Sequence, residues 1–96
     1  MLEATSRFET NEGQKYLVQL CKHFAHKIKV EHAGDRGELR FSCGTGFLLA
    51  SAEGLSIRVR SPDDRSLGET KAVIESHLLR FAFREPSGPL QWTPAA

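Results

Sequence analysis

Apolar side chains in this chain change their spacing from stretch to stretch, and the changes mark its elements. Thr5 to Thr10 alternates around Phe8 and predicts a first strand. From Glu12 to about Lys27, Leu17, Leu20, Cys21, Phe24 and Ile28 recur three and four residues apart, the spacing of an amphipathic helix. Asn11, with Gln14 three positions on, is suited to cap it. At Ile28 the spacing becomes strict alternation. Ile28, Val30 and His32 alternate with Lys29 and Glu31, and Leu39, Phe41 and Cys43 with Glu38, Arg40 and Ser42. Phe47 to Ala52 forms the next strand, with Phe47 and Leu49 expected inward and Leu48 and Ala50 outward. Leu55, Ile57 and Val59 against Ser56, Arg58 and Arg60 complete a run of four. The turns between them are short: residues 33–37, residues 44–46 and Glu53-Gly54. Short turns join antiparallel neighbours.

Ser61-Pro62-Asp63-Asp64 starts a second helix, with Ser61 as cap, Pro62 in the first position and aspartates at the positive end of the dipole. Leu67, Ile74, Leu78 and Phe81 form its inner stripe, and Gly68 weakens its first turns. Pro86, Gly88 and Pro89 end the regularity, after which Leu90 and Trp92 can dock as an extended tail. The order is β-α-β-β-β-β-α. Each strand offers one apolar face and each helix one apolar stripe. The expected fold is therefore α+β, a two-layer sandwich of a mostly antiparallel five-stranded sheet with two helices on one face.

Composition narrows the function classes. Ninety-six residues are expected to form a single domain, far below the ~250 that a (β/α)₈ barrel needs. Thirteen basic against twelve acidic side chains leave a net charge of +1, which makes nucleic acid an improbable main partner. Phe47 to Ala50 is the longest wholly apolar run, far short of the ~20 residues of a membrane span. The start has no apolar stretch behind a basic cluster, so no secretory leader is expected, and Cys21 and Cys43 are expected as reduced core thiols of a cytoplasmic protein.

Candidate chemistry lies on three surfaces. Cys21, His23 and His26 suggest a transition metal, but on a helix His23 and His26 point about 160° and about 140° away from Cys21. His23 and His26 alone remain as a candidate metal pair. Lys15, Lys22 and Lys29 share that basic outer face. On the second helix His77, Arg80 and Arg84 run down one flank. The sheet's outer face collects Arg7, Glu9, Glu38, Arg40, Ser56, Arg58 and Arg60, which suits solvent, a homodimer interface or an anionic ligand. No phosphate loop, nucleophile elbow, dinucleotide fingerprint or HExxH string occurs, so no reaction is indicated.

Two strings carry a more specific likeness. Residues 16–27, Tyr-Leu-Val-Gln-Leu-Cys-Lys-His-Phe-Ala-His-Lys, and residues 77–85, His-Leu-Leu-Arg-Phe-Ala-Phe-Arg-Glu, resemble a small bacterial family known as domain of unknown function 2218. Gly37-Glu38-Leu39-Arg40-Phe41 and the late Trp92 fit as well. The resemblance implies a small cytosolic accessory protein, with links to siderophore and ferric-reductase genes. It places a ligand-binding groove for an anionic or iron-linked ligand between Lys22, His23 and His26 on the first helix and His77, Arg80 and Arg84 on the second. The competing expectations are a homodimeric interaction module and an enzyme of small organic acids.

Overall fold

Both helices and all four meander strands form, several of them with shifted ends. The computed structural model describes residues 1–85 and 88–95, so Pro86 lies outside the described residues. The elements are β1 (Leu2–Glu9), α1 (Gly13–Phe24), β2 (Lys29–Ala33), β3 (Arg36–Arg40), β4 (Thr45–Ser51), β5 (Gly54–Ser61), α2 (Asp64–Phe81) and β6 (Thr93–Ala95). The sheet order is β2-β3-β4-β5-β1-β6, antiparallel throughout. It has six strands rather than five, because the tail after Trp92 pairs with β1. β1 lies between β5 and β6, so α1 carries the chain from one side of the sheet to the far edge at β2.

Register decides which side chains meet the helices. Ala4, Ser6 and Phe8 pair with Val59, Ile57 and Leu55, and all six face inward. Gly46, Leu48 and Ala50 pair with the same β5 residues from the other side. Paired residues share a face. Leu48 and Ala50 are therefore buried, and Phe47 and Leu49 face outward, the reverse of the sequence expectation. Both alternating sets of β4 are apolar, so the strand's own pattern carries no phase; Ile57 and Val59 next door supply it.

Leu17, Leu20, Leu39, Leu55, Ile57, Ile74 and Leu78 are fully buried between sheet and helices. Each such side chain contributes roughly 1.5–3 kcal/mol by leaving water. Two glycines let the helices sit close. A Cβ at Gly37 would lie 2.6 Å from Cys21 Sγ, under α1, and one at Gly46 would lie 2.5 Å from Ile74 Cδ1, under α2.

The helix starts differ in detail. Glu12, not Asn11, precedes α1 and makes no side-chain cap, while Gln14 donates to the Gly34 carbonyl instead of closing a capping box. Asp63 caps α2 by accepting from the Ser66 N–H at 2.8 Å, and this bond holds its carboxyl below the usual range. Ser61 is the last residue of β5, buried against Thr70 at 3.0 Å, and so is unavailable as a cap. β3 ends at Arg40, and Phe41 and Gly44 close a tight turn, which removes Phe41 and Cys43 from the strand. Among the described residues no helix is long and apolar enough to cross a membrane.

Candidate functional site

The helix side brings part of the expected groove together. His23 on α1 meets α2, with its ring 4.8 Å from His77 and 5.8 Å from Phe81, centroid to centroid. Its Nε2 is buried without a hydrogen-bond partner. Burial, then the positive neighbours His77, Lys27, Arg80 and His26, hold the imidazole below its ordinary range. His77 Nδ1 lies 2.7 Å from the Val73 carbonyl, one helical turn back. The remaining expected residues stay at the surface, with His26 and Arg80 near enough to His23 to act on its charge. Lys22, His26, Arg80 and Arg84 are exposed, and the Arg84 guanidinium sits over the Phe83 ring at 5.4 Å.

What the two helices share is mostly packing. Phe24 makes ring contacts with Phe41 and His77. Glu85, just past α2, accepts hydrogen bonds from Tyr16 Oη and from Thr10 Oγ1, the latter at 2.9 Å. Burial, followed by that bond and the Glu85 charge, pushes the Tyr16 hydroxyl up to about 12. No group of three or more His, Cys, Asp or Glu among the described residues could hold a metal. His23 and His77 offer two nitrogens at most, short of the ligands that a tetrahedral ion requires. Both cysteines are free: Cys21 is in the core, where burial pushes its thiol up, and Cys43 is half-buried beside the Thr70 hydroxyl at 3.2 Å.

The helix-free face is different, because it contains a trough of about 1060 Å³. Its side chains form ladders across the strands. In one, Arg7 of β1 pairs with Ser56 of β5, which pairs with Leu49 of β4, then Arg36 of β3. In the next, Thr93, Thr5, Arg58, Phe47 and Glu38 follow one another from β6 to β3. Phe47 and Leu49 give the trough an apolar floor, with Leu49 41% exposed. The Arg58 and Arg60 guanidiniums lie over the Phe47 ring at 4.6 and 5.2 Å.

Most charges on this face are answered within it. Glu3 sits 3.7 Å from Arg58 and 3.8 Å from Arg60, and Arg40 pairs with Glu38 at 2.5 Å and reaches Glu31 at 4.0 Å. Among the described residues no carboxylate is within ion-pair distance of Arg7 or Arg36. The trough's one further carboxylate, Glu9, lies two residues beyond Arg7 on β1, paired with Gly54 at the end of the sheet. Arg7, Ser56 and Arg58 are legible in the sequence as outward positions. Phe47, Leu49 and Arg36 are not, since β4 has no phase of its own and Arg36 reads as part of a turn.

Comparison with known proteins fits this chain into a family. The family model for an uncharacterized protein conserved in bacteria, DUF2218, matches residues 5–93. The chain belongs to that family. The chain is also similar to PA4090 from Pseudomonas aeruginosa, solved by NMR, at 33% identity and a TM-score of 0.79 over 99% of this chain and 96% of that one. No curated protein matches. Within this DUF2218 member, the two strings that carry the family resemblance meet one another: Tyr16 reaches Glu85, and His23 reaches His77 and Phe81. Those strings join the two helices to each other on the side away from the trough.

Proposed function

We propose that this protein binds a small amphipathic anion in the trough on the helix-free face of its sheet. One observation carries the reading: Arg7 and Arg36, without carboxylate partners among the described residues, stand on either side of a floor made by Ser56 and Leu49, beside Phe47. A ligand pocket needs an apolar lining with a few placed polar groups, and the trough has both. Arginine is the side chain suited to fork-like recognition of carboxylate or phosphate. An iron-linked ligand, which the family resemblance implies, falls in the same class when it is an anionic chelate.

The test is a titration of ¹⁵N-labelled protein, followed by NMR, with decanoate and with a ferric carboxylate siderophore. Shifts are expected at Arg7, Arg36, Phe47, Leu49 and Ser56, and they should shrink in the Arg7→Gln/Arg36→Gln double variant. Shifts confined to His23, His26 and His77 would move the site to the helix groove. Sedimentation at rising concentration reads the rival function, a homodimer through the same face: a dimer that covers Leu49 and excludes decanoate would overturn ligand binding.

A further inference from the structure

We propose that the ligand is a dianion: two acidic groups separated by an apolar spacer, lying across the strands from Arg7 to Arg36. This rests on the trough being a ligand site, and it adds the ligand's shape. The two arginines occupy the same cross-strand ladder, Arg7–Ser56–Leu49–Arg36, on strands β1, β5, β4 and β3. Three strand spacings separate them, about 14 Å from backbone to backbone. One carboxylate shared between them would need both side chains laid flat over Ser56 and Leu49, covering the apolar floor. Two separate acidic groups let each guanidinium keep its own partner. The part of the ligand between them then rests on Leu49, with the Phe47 ring alongside.

The neighbouring ladder supports the same orientation. Arg58 is already occupied by Glu3 and by the Phe47 ring, and Glu38 by Arg40, so neither charged member of that ladder calls for a ligand charge. Glu9, two residues from Arg7 along β1, repels an acid displaced along the strand and so favours the cross-strand placement. The spacer therefore has a best length. A short diacid reaches one arginine only, and a long one must bow off the floor.

Calorimetric titration of the whole chain at low salt tests this with butanedioate, decanedioate and their one-acid counterparts, butanoate and decanoate. Decanedioate is expected to bind about tenfold more tightly than decanoate, the worth of one extra charge-assisted hydrogen-bonded pair. Butanedioate should gain no such factor over butanoate. Arg7→Gln and Arg36→Gln should each bring decanedioate down to the level of decanoate. Equal affinities for decanedioate and decanoate, or an advantage that survives either substitution, would overturn the dianion while leaving the anion site standing. No binding of either ten-carbon acid would overturn both.

Discussion

The imidazoles of His23 and His77 lie 4.8 Å apart across the seam between α1 and α2, and the His23 Nε2 is sealed there with no hydrogen-bond partner. A proton on His23 would be placed beside Lys27 and His26 from its own side and His77 and Arg80 from α2. The folded chain thus holds His23 neutral at pH values where the unfolded chain already protonates it. Stability linked to this residue is complete above the ordinary imidazole value of about 6.5 and falls as pH drops below it, levelling once the lower folded value is passed. Urea unfolding from pH 7.5 to 5 should show a steeper loss for the natural chain than for His23→Phe. Parallel profiles would refute a neutral, half-buried imidazole.

Tyr16 supplies the opposite sign at the other end of the pH scale. Its hydroxyl is raised to about 12 by burial and by Glu85, so its contribution is full below the unfolded value near 10 and is lost as pH climbs through 12. The chain has one tyrosine, so the ultraviolet titration of tyrosinate reads this residue alone. The expected midpoint is well above that of free tyrosine; an ordinary midpoint would mean that the Glu85 contact does not persist in solution. Tyr16→Phe should cost about 1–2 kcal/mol, since it removes one buried donor while Thr10 continues to serve Glu85.

Leu48 and Leu49 are adjacent leucines with opposite fates. Leu48 is 2% exposed and Leu49 is 41% exposed. Leu48→Ala should therefore cost about 2–5 kcal/mol by leaving a cavity under the helices. Leu49→Ala should change stability by less than about 0.5 kcal/mol, as surface substitutions do, yet weaken decanoate binding. Denaturant midpoints and the calorimetric titration together check the pair. Equal destabilisation by the two would contradict the observed phase of β4.

Two glycines on the helices should respond in opposite directions to alanine. A Cβ at Gly13 would lie 2.3 Å from the Gly54 carbonyl oxygen and 3.1 Å from that of Ser51, so α1 would have to lift from the β4–β5 hairpin. Gly13→Ala should destabilise by about 1–3 kcal/mol, the usual range for overpacking. Gly68 on α2 has open space around it, and Gly68→Ala should stabilise by about 0.5–1 kcal/mol through helix propensity. Thermal melts of the two variants decide the matter, and a shift of the same sign in both would refute it.

The sequence by itself determined every element but β6, the inward stripes of both helices and the inward phase of β5. In each of those stretches apolar and polar positions differ, so burial has only one way to satisfy them. Leu17, Leu20, Cys21 and Phe24 had to face one way, and so did Leu55, Ile57 and Val59. His77 could be paired with His23 as a hypothesis, because each lies on the flank of its own helix. The tertiary structure alone decided the phase of β4, where Phe47 and Leu49 compete with Leu48 and Ala50 on equal terms until Ile57 and Val59 choose between them. It alone decided that β1 sits between β5 and β6, a pairing of residues at least 45 positions apart that no local spacing encodes. The ladder from Arg7 to Arg36 exists only through that pairing. Strand order is set by the total apolar surface the whole sheet can cover, and a site assembled across four strands inherits that nonlocal choice.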